Sequence, residues 1–174
     1  MTKNKQEKKF LEHLNNHRAN VKKAYEWLEK ELPELFKDVD KKKLDDAIKN
    51  HDESKLAEEE YWPRIEWFYG DGDNEDEYKY TRCRHQNESE HHWQYWVMLK
   101  DNAKTPECVE MSKEAVIEMI SDWWSFSWDE DKLDSIFDWY GKQKHILLHP
   151  NTKKLVKEIL DKIEKKIIKN TFGI

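Results

Sequence analysis

His17, His51, Asp52 and Asp122 are the residues of this chain whose types and placement point most directly to chemistry. Imidazole nitrogens combined with carboxylate oxygens suit a divalent ion such as Mn, Fe, Ni, Co or Zn, and a mixed donor set leaves positions for water and substrate. His51 and Asp52 stand side by side in NHDESK, residues 50–55, with Lys55 just behind them. Three further histidines, His85, His91 and His92, and the acid Glu118 fall between that stretch and Asp122. One ion or two are both open on this inventory.

The elements that must position these residues are helices. Phe10, Leu14, Val21, Ala24, Leu28 and Leu32 recur in steps of three, four or seven, the stripe of one helix from about residue 5 to Pro33, and His17 interrupts it between Leu14 and Val21. Asp40 reads as the N-cap of a second helix that turns Leu44, Ala47 and Ile48 inward and brings His51, Asp52 and Lys55 onto the same side. Tyr61, Ile65 and Phe68 mark a short third helix with Pro63 in its first turn, ended by the acidic loop GDGDNEDE at 70–77.

Tyr78, His85, His92 and Leu99 recur every seven residues and predict a long fourth helix, with His85 and His92 on one face and His91 to the side. Helix neighbours differ by about 100°, so at most one of His91 and His92 is a ligand, and heptad position favours His92. Residues 101–111 read as loop and Ser112 as the N-cap of a fifth helix, on which Ala115, Glu118, Met119 and Asp122 share a face. A sixth helix over about 131–142 and a last one from Asn151 or Thr152, with Leu155, Ile159, Ile163 and Ile167 inward, complete an all-α domain of six to seven helices. An unpaired charge is costly to bury, so polar intrusions on three apolar faces call for one shared explanation, and a divalent ion supplies it.

The order His, then His-Asp, then a distant Asp resembles the HD superfamily of metal-dependent phosphohydrolases over about residues 10–125. That resemblance implies a helical core gathering His17, His51, Asp52 and Asp122 on one ion, with His85, His91 or His92 available to a second. It also implies hydrolysis of a nucleotide or another small phosphate ester. HDESK is similar to the HDxGK variant, with Ser54 at the glycine position, which implies Lys55 on the substrate phosphate. Asp52 would accept a proton from water, and Lys55 or Arg18 would offset developing charge. Glu118 would orient a histidine or take a second metal. Nucleotide-acting members carry an acid shortly after the HD pair; with lysine at 55, Glu53 or Glu58 would serve. HDESK, HQNESEHHWQYW and EMISDW together also resemble an uncharacterised family of bacteria and phages known as a domain of unknown function.

Four glycines, four prolines and 39% charged residues favour long helices in a single domain. A net charge of −6 of mixed sign leaves no basic stripe, so nucleic acid is not the expected partner; KYTRCR at 79–84 is the segment a single strand would use. Cys83 and Cys108 lack metal or redox spacing, and no apolar run reaches bilayer length, so a reducing cytoplasm and no membrane are expected. Asp71, Asp73 and Glu75 alternate as in an EF-hand, but Asp76 and Arg82 stand where glycine and glutamate are required. Trp93, Trp96, Trp123 and Trp124 flank the proposed ligands, placed either to pack a core or to stack on a base. The competing class is a non-enzymatic helical binding protein whose polar cluster, with or without a structural metal, fixes the core.

Overall fold

The structure, a computed structural model, describes residues 2–172. Among them seven α-helices follow in order: α1 (Lys3–Glu31), α2 (Lys41–Lys49), α3 (Glu58–Tyr69), α4 (Glu75–Glu88), α5 (Lys113–Asp129), α6 (Ser135–Lys142) and α7 (Pro150–Phe172). Short 3₁₀ turns cover Pro33–Phe36, Glu53–Leu56 and Trp93–Trp96, and a two-residue antiparallel hairpin pairs β1 (Val97–Met98) with β2 (Glu107–Cys108). The expected all-α class therefore holds.

α5 is the axis of the fold. Every residue from Ala115 to Ser121 is buried, so this helix is enclosed on all sides rather than presenting one stripe. Around it pack Val21, Ala24 and Leu28 of α1, Leu44 and Ile48 of α2, Ile136 of α6, and Val156, Ile159 and Ile163 of α7. The expected N-caps are in place: Asp40 accepts from the Lys43 amide at 3.0 Å and Ser112 from the Ala115 amide at 3.1 Å. Trp124 is fully buried, its Nε1 donating to the Leu133 carbonyl at 2.9 Å and its ring edge-on to Trp27. Trp124→Ala should therefore cost about 3–5 kcal/mol of stability, read as a shifted urea midpoint.

A second, smaller apolar cluster joins Phe10 and Leu14 of α1 to Ile65 of α3. α1 is long enough, about 43 Å for its 29 residues, to serve both clusters. Leu14 belongs to one and Val21 to the other, which leaves His17 at the seam between them. The polar interior of the protein lies at that seam.

Several boundaries differ from the sequence reading for local reasons. α4 ends at Glu88 rather than continuing to Leu99: Ser89 is extended, and Trp96 anchors the departing chain through Nε1 to the Glu90 carbonyl at 2.7 Å. α2 ends at Lys49, so His51 and Asp52 occupy a turn instead of a helix end. Pro63 is inside α3, Glu75 to Glu77 form the first turn of α4 rather than loop, and Phe68 is largely exposed. α6 starts at Ser135, and α7 buries Val156 and Leu160 beside Ile159 and Ile163, leaving Leu155 and Ile167 half-buried.

Candidate metal centre

Asp52 links the two halves of the seam. The turn after α2 puts it in the left-handed region, φ +59°, which aspartate tolerates better than most side chains. Its carboxylate faces two ways. Oδ2 lies 3.2 Å from His17 Nε2, 3.7 Å from His51 Nε2 and 2.5 Å from Lys55 Nζ. Oδ1 lies 3.1 Å from His85 Nε2 and 3.9 Å from His91 Nε2. Asp122 closes the first half, with Oδ1 3.1 Å from His17 Nε2 and 3.6 Å from His51 Nε2.

The imidazoles are held from behind. Ser125 donates to the Asp122 carbonyl, so its oxygen is free to accept from His17 Nδ1 at 3.1 Å. Glu118 Oε1 stands 2.9 Å from His51 Nδ1 and 3.2 Å from His91 Nδ1. Ser54 Oγ is 2.9 Å from His85 Nδ1, with Glu60 Oε2 3.5 Å away. In four rings Nδ1 is thus occupied by an oxygen, which fixes the ring and leaves Nε2 aimed into the shared space, the arrangement ligating histidines require.

What faces that space lacks partners. Asp52 Oδ1 and the Nε2 atoms of His85, His91 and His92 are buried without a hydrogen bond; the 3.1 Å approach of His85 to Asp52 is not aligned as one. His17 and His51 Nε2 face each other at 3.3 Å, a contact attractive only when one of them carries a proton. Orphaned polar atoms are costly, and here they converge. Donors about 2.1 Å from one ion sit about 3.0 Å apart in adjacent octahedral positions and about 3.4 Å apart in tetrahedral ones, close to the spacings around His17, His51, Asp52 and Asp122.

Among the described residues, three overlapping groups could hold a metal ion: Asp52 with His85, His91 and His92; His17 with His51 and Asp52; and His51 with His91 and Asp122. The chain also matches a family of unknown function, DUF5662, over residues 6–162. It belongs to the DUF5662 family. No curated protein and no solved structure matches it. The function of that family is unknown, so what the DUF5662 chain does must be read from its site.

Electrostatics in this DUF5662 chain follow from the crowding. Burial disfavours the charged form of His51, but the Asp52 charge and the bonds to Asp122 and Glu118 outweigh it and hold the imidazolium up to about 10. His17 and His85 are raised against burial in the same way, His17 by Asp122 and Asp52, His85 by Asp52 and Glu60. His92 is pushed down to about 3 by burial and the neighbouring His91. Burial opposes ionisation of Asp52, Asp122 and Glu118, yet Lys55 with His51, His17 and His85 holds Asp52, and His17 with His51 holds Asp122, well below the usual carboxylate range; His51 and His91 bring Glu118 to about 2.

His91 and His92 both reach the cluster, which the helical reading excluded: past the end of α4 the 100° rule no longer applies. Arg18, assigned to the phosphate, turns the other way and donates from Nη2 to the Lys49 carbonyl at 2.8 Å, capping α2. Glu53 and Glu58 are exposed; the acid that reaches the cluster is Glu60, which the sequence does not single out because a Glu–Arg i, i+4 spacing is common on solvent faces. Arg64 holds Glu60 through Nε and Nη2 at 3.1 and 2.8 Å, and Glu60 in turn backs His85. An ion taken up at His85 should be held about 10- to 100-fold more weakly in Glu60→Gln in a chelator-competition titration, and one at His17 as in wild type; wild-type affinity at His85 would remove Glu60 from the site.

The cluster opens on a cavity of about 490 Å³. His17, His85 and His92 form its inner wall, with Lys55, Arg64 and Arg82 among the other lining residues. Its aromatic lining is Phe10, Phe68, Tyr69, Tyr78 and Phe126; Trp93, Trp96 and Trp123 instead pack against the main core, and Trp124 lies within it.

Proposed function

We propose that this chain is a metal-dependent phosphohydrolase of HD type, acting on a nucleotide or another small phosphate ester. The observation that carries the reading is the convergence of the unpartnered Asp52 Oδ1 with the Nε2 atoms of His85, His91 and His92, beside a cavity whose wall includes His85, His92 and the cations Lys55, Arg64 and Arg82. Carboxylate and imidazole without sulfur suit Mn, Fe, Ni, Co or Zn, and the overlapping donor groups, with Asp52 common to two of them, would hold one ion or two. Bound there, such an ion would acidify water and polarise a phosphoryl oxygen.

The chain's own residues supply the rest. Glu118, Ser125, Ser54 and Glu60 orient the ligating rings. Lys55, half-buried and on Asp52 Oδ2, is placed to receive a phosphate oxygen at the cavity wall. Asp52 is the carboxylate within reach to take a proton from attacking water, while the apolar lining limits bulk water. An open cavity beside the donors separates this from a purely structural site, whose shell would be closed.

The test is metal content by elemental analysis, then phosphate release from nucleoside monophosphates and p-nitrophenyl phosphate with each metal. One to two equivalents of ion and metal-dependent release are expected. A protein still metal-free after incubation with Mn, Fe, Ni and Zn would end the reading; bound metal without release from any ester would favour the binding-protein class.

A further inference from the structure

The cations of α4 are not treated alike. Lys79 pairs with Glu75 at 2.8 Å and Arg84 with Glu88 at 3.0 Å, each four residues away along the helix. Arg82 lies between them, is exposed to solvent, lines the cavity, and among the described residues has no carboxylate partner. Positions three and four residues to either side, where helix partners stand, hold Tyr78, Lys79, His85 and Gln86, none of them acidic. In a chain with 37 acidic residues against 31 basic ones, an arginine left without a carboxylate on a cavity wall is free to take an anion from outside.

The other two cavity cations are already engaged: Lys55 on Asp52, and Arg64 on Glu60 through Nε and Nη2, which leaves its Nη1 unspent. Arg82 precedes His85 by three residues, about 4.5 Å of helix rise, and helical side chains lean toward the N-terminus. Its guanidinium is therefore carried away from the metal ligands, toward Tyr78. The Tyr78 ring is itself fixed, stacked on Trp67 with centroids 5.0 Å apart and met edge-on by Phe68. Along α4 the cavity thus grades from metal donors through a guanidinium to an aromatic face.

We propose that Arg82, with Nη1 of Arg64, forms a second anion subsite that takes the non-scissile phosphate of a substrate bearing two phosphates. The proposal rests on the phosphohydrolase reading of the neighbouring cluster and narrows its substrate class to small bisphosphorylated esters. Lys55 serves the phosphate at the metal; the planar forks of Arg82 and Arg64 match a second tetrahedral oxyanion. A cavity of about 490 Å³ is of small-molecule size, with room beyond a single bound phosphate.

The test is calorimetric binding of adenosine 5′-monophosphate and adenosine 3′,5′-bisphosphate to the Mn-loaded full chain, comparing wild type, Arg82→Gln and, as a same-helix control, Lys79→Gln. Wild type and the control should prefer the bisphosphate about 10- to 100-fold, the worth of charge-assisted hydrogen bonds, and Arg82→Gln should lose most of that preference while binding the monophosphate within about twofold of wild type. The proposal is overturned by equal losses for both ligands, which would put Arg82 on the scissile phosphate, by equal effects of the two variants, or by no preference in wild type. Phosphate release is scored on the same samples: an Arg82-dependent preference without release sustains the subsite and retires the hydrolase, whereas release without the preference does the reverse.

Discussion

Asp52→Asn should empty both metal positions at once and lower phosphate release by about 10³-fold or more. Asparagine matches aspartate in shape and accepts the left-handed φ of +59°, so the turn after α2 persists and the change is confined to charge. Asp52 is the one residue shared by the His85–His91–His92 group and the His17–His51 pair, and its oxygens face one set each. An amide presents a single neutral oxygen and cannot join them. Loss of the ions removes several kcal/mol of transition-state stabilisation, which is the stated fold-change. His92→Ala and His17→Ala each touch one group, so each should cost one equivalent of metal by elemental analysis and leave the other. Full metal content in Asp52→Asn, or an empty protein from His92→Ala, would show that Asp52 is not the link.

Much of this centre could be read from spacing because helices impose a period. His17 stood out as a polar residue between Leu14 and Val21, and the structure places it where the two apolar clusters carrying those residues meet. Glu118 and Asp122 share a face of α5 with Met119, and that face looks onto His51 and His17. Periodicity failed where the chain leaves a helix. The heptad through His85 and His92 suggested continuity, but α4 stops at Glu88, and it is the loop that brings His91 beside His92. Asp52 needed a turn, not a helix face, to aim its two oxygens apart.

Residues recruited from outside the motif were invisible for another reason. Glu60 and Arg64 form an i, i+4 pair of a kind common on solvent faces; their burial against His85 depends on how α3 packs on α4. Arg18 adjoins His17 in sequence, yet the carbonyl left unsatisfied at the end of α2 claims it. Trp124 lies in the core with Trp27, Trp93, Trp96, Trp123 and Trp128 packed against it, and smaller rings supplied by α1, α3, α4 and α5 line the cavity. Which aromatic faces a ligand is set by tertiary packing and carries no local signature.

Metal binding should expel protons, and apparent affinity should climb steeply with pH. In the metal-free chain His51 stays protonated up to about 10, and His17 and His85 are also raised. Ligation needs the Nε2 lone pair, so near neutral pH an incoming ion displaces His51's proton and draws further ones from His17 and His85; His92, already neutral above about 3, contributes none. Each proton released steepens the affinity about tenfold per pH unit, so two would give about 10⁴-fold between pH 6 and 8. Titration calorimetry in buffers of different ionisation enthalpy counts those protons, and a count of zero at pH 7 would place the ion elsewhere. Stability should run the opposite way in the metal-free chain. A histidine raised on folding stabilises fully below its unfolded value of about 6.5 and loses that contribution as pH rises, for His51 through about 10. The depressed Asp52, Asp122 and Glu118 stabilise above about pH 4 and fail as pH falls through their lowered values. Without metal the melting temperature should therefore be highest near pH 5–6 and decline toward pH 10. With metal that decline should vanish, because the ion replaces the imidazolium charge that Asp52 and Asp122 would otherwise lose.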